Sequence, residues 1–231
     1  MARRHWLKYL IAAIAAAALL WFGVPEIPPQ WNPWAPIRLA DPPNLLTGFK
    51  LQRLQDAPQL CQALLDGTGF TYRPVADQVT GPGCGFANAV RVSGSGIAYG
   101  NGFVATCPLV VGLALFERHV LQPAAAASFG QSVTALDHLG TYACRNVGNR
   151  SAGRRSQHAT ANAIDIAGVR LADGTRISIA QGWQGGGTNA SFLRQLHEGA
   201  CGIFTVVLGP DYNAAHHDHL HLDLGGFGLC R

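Results

Sequence analysis

Three segments of the chain carry apolar residues at helical spacing. The first begins at Asp56 as an N-cap and ends at Gly67, and the second runs from Thr106 as a cap to Pro123 as terminator. The second segment is apolar over most of its length, which is typical of a central core helix. The third, TNASFLRQLHEGAC, begins near Thr188 and turns its phenylalanine and leucines inward.

Short runs with strand character lie between the helices and are separated by turns rich in glycine, asparagine and aspartate. Helices and strands do not alternate strictly, so the pattern favours an α+β fold with a small, mostly antiparallel sheet and flanking helices. The predicted strands are residues 133–136, 141–144, 163–166, 176–179, 205–208 and 220–224.

The first 24 residues have a different pattern. Tyr9 to Val24 is an uncharged, mostly apolar run behind a basic start, and bulky residues follow it instead of a small-residue cleavage site. We expect an uncleaved, single-pass transmembrane helix, with a cleaved signal segment as the alternative. The basic residues should stay cytoplasmic, which places the rest of the chain in the periplasm or outside the bacterial inner membrane.

Prolines dominate the next segment, residues 25–50, which we expect to be a stiff, extended tether. The compact domain should then occupy residues 51–231.

Overall charge narrows the classes of function. The net charge is +4, but Arg3, Arg4 and Lys8 precede the first acidic residue, so the rest of the chain is nearly neutral. Nothing in this distribution indicates a surface that follows nucleic-acid phosphates. The glycine-rich loops lack the lysine of a phosphate-binding loop, so we expect no nucleotide partner either.

Six cysteines are spread widely and contain no Cys-x-x-Cys pair, which predicts disulfides in an exported chain instead of a zinc cluster. Six cysteines allow fifteen pairings. We expect Cys201 to pair with Cys230, because the two would bracket the final strand, and the other pairings stay open. The cysteines are Cys61, Cys84, Cys107, Cys144, Cys201 and Cys230.

The run HHDHLHLD, residues 216–223, places four of the nine histidines in eight positions. An expression tag would not be interrupted in this way or continue into LGGFGLCR. Side chains alternate between the two faces of a strand, so His216 and Asp218 would join the leucines on one face. The other face would carry His217, His219, His221 and Asp223, and a His-x-His pair on a strand can present two imidazoles to one metal ion.

A second cluster, SQHATANAIDIAG, contains His158 and Asp165 seven positions apart. In one straight strand these two residues would face opposite ways, so a bend near Ala161 and Asn162 must intervene if both bind one ion. The alternative is that Asp165 caps a turn and His158 lies on a surface loop.

Together the clusters form the pattern Ser156-x-His158-x(6)-Asp165, followed about fifty residues later by His219-x-His221. This pattern resembles the zinc peptidases grouped with lysostaphin, the D-alanyl-D-alanine peptidases and the hedgehog signalling domain. Ala161 departs from the wider group, in which many members carry glycine, but no ligand is lost. More narrowly, residues 60–231 resemble the bacterial extensin-like C-terminal domain family. The motifs that carry this are YACR, SQHATANAIDIAG, FLRQLHEGAC, VLGPDYNAAHHDHLHLD and the terminal CR.

The resemblance implies a hedgehog- or D-Ala-D-Ala-peptidase-like fold and a zinc ion bound by His158, Asp165 and His221. Three protein ligands leave a position for water, as in catalytic zinc sites. The resemblance also makes His219 the catalytic base, with Asp218 as its competitor.

Further roles are implied around these residues. Arg145 would stabilise the oxyanion or hold a substrate carboxylate. Ser156 would brace the turn that carries His158, and His216 and Asp223 would support the catalytic histidine and the ligands.

The implied function is that of a membrane-anchored, exported zinc metallopeptidase. It would hydrolyse peptide bonds of peptidoglycan, as a murein endopeptidase or D,D-peptidase, and would contact the membrane through its N-terminal helix. The alternative from another class is a non-catalytic, zinc-stabilised wall-binding or scaffold domain. A weaker alternative is a metal-storage protein that uses the histidine cluster.

Overall fold

The structure is a computed structural model that describes Trp6 and residues 8–15, 27–226 and 228–231. It has an α+β architecture with antiparallel sheets, as the sequence predicts. The helices are α1 Thr47–Arg53, α2 Pro58–Leu65, α3 Cys107–Phe116, α4 Gln122–Phe129, α5 Ile179–Gly182 and α6 Thr188–Cys201. The strands are β1 Thr71–Val75, β2 Gln78–Gly81, β3 Cys84–Phe86, β4 Ala89–Gly94, β5 Phe103–Thr106, β6 Val133–Gly140, β7 Ala163–Leu171, β8 Arg176–Ser178, β9 Val206–Leu208, β10 Leu220–Asp223 and β11 Leu229–Cys230.

The largest of the described sheets has the strand order β11-β9-β10-β7-β6, and β8 pairs with the far half of β7. All its strand pairs are antiparallel except β11 with β9. β7 lies at the centre and is buried along nearly its whole length, which fits its apolar sequence AIDIAGVRL. The register of β10 against β7 sets Asp165 directly opposite His221.

α3 forms the centre of the core, and all ten of its residues are buried. The sequence predicts that this helix ends at Pro123, but the chain remains helical beyond that residue. The chain continues through a π-helical turn, Glu117–Leu121, into α4, which ends at Gly130 in the left-handed conformation. The π turn has already interrupted the regular hydrogen-bond ladder, so a proline without an N–H is tolerated in the first turn of α4.

Strands β1 to β5 fall between residues 71 and 106, where the sequence pattern predicts none. They form a three-stranded sheet, β1-β4-β5, and a separate hairpin of β2 with β3. β1 is an edge strand that contains Pro74, and β2 is almost fully exposed, so neither has an alternating apolar pattern. The predicted strand at residues 141–144 is irregular backbone in the structure.

The predicted N-terminal transmembrane helix is corrected by the structure. Residues 8–15 are helical, but no helix in the described part of the chain is both long and apolar enough to cross a bilayer. About twenty apolar residues are needed to span the hydrocarbon core. Residues 16–24, the second part of the predicted span, lie outside the described residues.

The segment predicted as a tether packs against the domain where the structure describes it. Ile37 is buried in the main core. The buried Lys50 donates from Nζ to the carbonyl oxygen of Pro29 at 2.7 Å, and Asn44 donates to the carbonyl oxygen of Gln30 at 3.1 Å. These contacts hold the segment that begins at Pro29 against α1 and the residues just before it.

All six cysteines form disulfides, which confirms the prediction of a disulfide framework. The pairs are Cys61–Cys107, Cys84–Cys144 and Cys201–Cys230. The predicted pairing of Cys201 with Cys230 is confirmed, and it joins the end of α6 to β11.

Replacing Cys201 and Cys230 together by serine should lower the free energy of unfolding by about 3.6 kcal/mol. The disulfide closes a loop with a sequence separation of 29, and cross-linking a loop of this length removes that much chain entropy from the unfolded state. Urea unfolding followed by circular dichroism measures the difference. An unfolding midpoint equal to that of the wild type would contradict the prediction.

Candidate metal centre

His158 lies on a short 3₁₀ turn, Gln157–Thr160, that precedes β7. The side chain of Ser156 accepts a hydrogen bond from the backbone N–H of His158 at 3.3 Å and so caps this turn. The turn ends at Ala161, whose φ of 53° lies in the left-handed region. Alanine adopts this conformation at a cost of about 1–2 kcal/mol, and the carbonyl oxygen of Ala161 accepts a hydrogen bond from Thr106 at 2.9 Å. The turn provides the bend that the sequence requires between His158 and Asp165.

The side chains of His158, Asp165 and His221 converge. His158 Nε2 lies 3.1 Å from Asp165 Oδ2 and 3.2 Å from His221 Nδ1. His221 Nδ1 lies 2.8 Å from Asp165 Oδ1. All three residues are buried. Ligand atoms around one tetrahedral zinc ion lie about 3.3 Å from one another, so the triangle is slightly smaller than that of a bound zinc ion, and its imidazole and carboxylate donors are of types that bind metal ions.

A hydrogen bond on the outer side fixes each of the two imidazoles. His158 Nδ1 lies 3.1 Å from the carbonyl oxygen of Thr141, so it carries the proton and donates it there. His221 Nε2 lies 2.9 Å from Asp223 Oδ2. Asp223 is itself held by the backbone N–H of Gly225, which donates to Oδ1 at 2.7 Å. Both imidazoles therefore turn their other nitrogen toward Asp165, and outer hydrogen bonds of this kind orient metal ligands.

The charges of the cluster reinforce one another. Burial raises the pKa of the Asp165 carboxyl, but the hydrogen bonds and charges of His158 and His221 outweigh it and hold the pKa well below its usual range. Burial lowers the pKa of His221, but the hydrogen bonds and charges of Asp165 and Asp223 outweigh it and raise the pKa to about 9. His221 is therefore protonated at neutral pH without a metal, and a cation bound at Nδ1 would displace that proton.

The residues before β10 form a turn, not the continuous strand that the alternation of HHDHLHLD predicts. His216 ends a 3₁₀ turn, Ala214–His216, and β10 begins only at Leu220. His217 therefore points away from the cluster, with 71% of its side chain exposed. The prediction that His217 shares a face with His219 is wrong, because the period of two applies only within a strand.

His219 and His216 both lie beside the cluster. His219 Nδ1 is 2.8 Å from Asp218 Oδ1, and its Nε2 is 3.5 Å from Asp165 Oδ1. The His216 ring centroid lies 5.2 Å from that of His219, and His216 Nδ1 is 2.8 Å from the side-chain oxygen of Asn213. Each ring is thus oriented by an acceptor at Nδ1, and the Nε2 of His219 faces Asp165.

Asp218, the other predicted candidate for the base, contacts His219 through Oδ1. The hydrogen bond to His219 is the main cause that lowers the pKa of Asp218. Burial, followed by the charges of His219 and His221, lowers the pKa of His216 to about 4, so His216 is neutral at pH 7.

Arg145 is half-buried, and its guanidinium lies 3.5 Å from Asn149 Oδ1. Its positive charge is the smallest of the causes that shift the pKa of His216. Among the described residues, a second group with metal-ligand spacing is His197, Cys201 and Cys230. Both sulfur atoms of that group are in a disulfide and are not available as thiolates.

Sequence reasoning missed two partners of the cluster. Thr141 contributes a backbone carbonyl oxygen, which leaves no trace in the sequence. Asn213 could have been found from the sequence, because asparagine is a common cap: it accepts a hydrogen bond from the backbone N–H of Ala215 and so caps the turn.

A cavity of about 810 Å³ has Thr160 and Asn162 in its wall, and none of the three converging side chains lines it.

Comparison with known proteins gives one finding. The family model described as extensin-like protein C-terminus matches residues 59–231. No curated protein and no solved structure matches the chain. The matched region contains the three converging residues, His216, His219 and all six cysteines, and it covers most of the sequence. The chain therefore belongs to the extensin-like protein C-terminus family.

Proposed function

We propose that this protein is an exported, zinc-dependent peptidase that acts on the peptide part of peptidoglycan. The observation that carries the proposal is the convergence of His158, Asp165 and His221 within 4.8 Å, beside an oriented fourth side chain, His219. Two imidazoles and a carboxylate are the donor set of catalytic zinc sites. A zinc ion held by these three residues would polarise the scissile carbonyl and lower the pKa of a water molecule.

The other residues supply the proton transfer. His219 donates from Nδ1 to Asp218, so its Nε2, which lies 3.5 Å from Asp165 Oδ1, would take a proton from the attacking water and pass it to the leaving amine. Asp218 acts by orienting His219 and by stabilising the ring when it is charged. Arg145 would stabilise the oxyanion or hold a carboxylate of the substrate.

Two arguments support the proposed substrate: the resemblance to the wider group of zinc peptidases, and the compartment in which the protein would act. Three disulfides fit an oxidising compartment, such as the bacterial periplasm, where peptidoglycan is accessible. The bond cleaved would be an amide that involves a D-amino acid.

Incubation of the zinc-loaded protein with purified sacculi and soluble muropeptides, with and without a chelator, tests the proposal. We expect new peptide fragments by mass spectrometry, lost with the chelator and restored when zinc is added back. A protein that binds one zinc ion and releases no fragment would contradict the proposed hydrolysis.

A non-catalytic role for zinc is the second candidate. His158, Asp165 and His221 come from one turn and two neighbouring strands, so a metal ion would also join these elements. In that case the protein would bind sacculi and gain stability from zinc, but it would not change the mass of any muropeptide.

A further inference from the structure

A β-hairpin-like loop leads directly into the candidate metal ligand His158. Three backbone hydrogen bonds close it, from Ala143 to His158, Ser156 to Arg145 and Val147 to Arg154, at 3.0, 3.1 and 3.0 Å. We call residues 144–156 the arginine hairpin. Every residue of its tip, residues 147–154, is exposed.

The base of the arginine hairpin is firmly held. The disulfide Cys84–Cys144 ties it to β3. The guanidinium of Arg155 donates to the carbonyl oxygen of Pro82 at 3.0 and 2.7 Å, and to Asn146 Oδ1 at 3.1 Å. The loop is therefore an anchored projection beside the cluster, with Arg155 as part of its framework.

The hairpin carries four arginines and no acidic residue. Arg150 and Arg154 are exposed and Arg145 is half-buried. Among the residues that the structure describes, none of these arginines forms an ion pair, whereas Arg176 elsewhere pairs with Asp137 at 2.6 Å. The hairpin thus presents at least three positive charges that no neighbouring carboxylate offsets.

The acidic residues of the cluster are already engaged. Asp165 contacts His158 and His221, and Asp218 contacts His219. Asp223 contacts His221 and Gly225, as described above. The hairpin nevertheless joins the cluster directly, because the backbone N–H of Ala143 donates to the carbonyl oxygen of His158 at 3.0 Å. A ligand that extends from the cluster along the hairpin would therefore meet uncompensated positive charge.

We propose that the arginine hairpin binds carboxylate groups of the substrate, so that the site takes anionic peptides in preference to amidated ones. This inference rests on the proposed peptidase function. The planar guanidinium matches a carboxylate with two parallel N–H donors. Arg145 would contact a carboxylate close to the reacting bond, and Arg150 and Arg154 would contact carboxylates farther away.

The double variant Arg150→Gln, Arg154→Gln tests this assignment. Their backbone carbonyls, which accept from Asn146 Nδ2 and from the Val147 N–H, are kept, so the hairpin should still form. The probes are a fluorescent synthetic stem peptide with free carboxylates and the same peptide with every carboxyl amidated. Binding is measured by anisotropy in the zinc-loaded full chain carrying His219→Ala, so that the probe is not consumed.

We expect the free-carboxylate peptide to bind about threefold to tenfold more weakly to the double variant, the effect of two solvent-exposed ion pairs. Binding of the amidated peptide should not change. At about 1 M salt, where the Debye length falls to about 3 Å, the difference should disappear.

The matched control is Arg73→Gln, Arg91→Gln, which removes the same charge from a paired position on the separate three-stranded sheet. Equal weakening by both double variants would overturn the hairpin assignment, and so would a wild-type preference for the amidated peptide or no binding of the carboxylate peptide. If the wild type cleaves no muropeptide but its carboxylate preference depends on Arg150 and Arg154, the hairpin assignment is supported and the proposed hydrolysis fails.

Discussion

Replacing His219 with alanine should reduce peptide hydrolysis by a factor of about 10²–10⁴ while the protein keeps one zinc ion per chain. His219 is buried beside the three candidate ligands, and its Nδ1 is engaged by Asp218. Its loss removes the proton acceptor without removing a ligand, so kcat should fall much more than KM changes. Initial rates on a soluble muropeptide and elemental analysis of the purified protein measure the two effects.

His217→Ala is the matched control, because it removes an imidazole two positions away whose side chain is largely exposed. It should leave both the rate and the zinc content unchanged. Asp218→Asn should cost less than His219→Ala, since an orienting partner is altered while the base remains. Loss of zinc from the His219→Ala protein would instead make His219 a ligand, and an unchanged rate would remove it from the mechanism.

The resemblance to the zinc peptidases, which the spacing of two motifs carries, identified the residues that the structure brings together. His158, Asp165 and His221 converge because a left-handed residue, Ala161, bends the chain between the first two, and the β7–β10 register pairs the last two. The bend could be deduced because a straight strand would place His158 and Asp165 on opposite faces. The register could not be deduced, because it depends on pairing across 56 positions of sequence.

The prediction from the alternation of side chains along a strand was wrong for the residues that precede β10, because they form a turn. Extending the period of two from β10 back to His217 assigned the wrong histidine to the cluster and turned His216 away from it. The asparagine at 213 caps a 3₁₀ turn and reverses both assignments. A hydrogen bond within a turn thus decides which of two adjacent imidazoles approaches the site.

The fold was predictable where one segment buries a continuous apolar face. α6 has the predicted bounds, and α3 is the predicted central helix. The edge strand β1 was not predictable, because it is exposed at most positions and is stabilised by pairing with β4; β4 and β5 carry buried apolar residues, but the sequence analysis did not assign them to strands. For the N-terminal segment, apolar composition predicts a membrane span, whereas the helices among the described residues are too short or too polar for one.

Replacing Asp165 with asparagine should abolish the stabilisation that zinc gives to the folded protein. The carboxylate lies within 3.1 Å of both His158 Nε2 and His221 Nδ1, so it is the shared partner of the other two ligands. An amide is a poorer zinc ligand and carries no charge to offset that of the ion. In the wild type, zinc at about 100 times its dissociation constant should add about 2.7 kcal/mol to the free energy of unfolding. Thermal unfolding with and without zinc measures this difference.

Two further variants make the Asp165 result specific to the metal. Asp223→Asn weakens the outer hydrogen bond of His221 and should reduce zinc affinity about 10–100-fold, a smaller loss than that of Asp165→Asn. Asp211→Asn removes an exposed carboxylate and should leave the affinity unchanged. If zinc stabilises the Asp165→Asn protein as much as the wild type, no metal binds at this cluster. If the two variants lower the free energy of unfolding of the metal-free protein in the same order, Asp165 and Asp223 have a purely structural role. We expect zinc to stabilise the His219→Ala protein but not the Asp165→Asn protein. This result would show that Asp165 binds the metal ion and that His219 does not, which is the division of roles that the geometry favours.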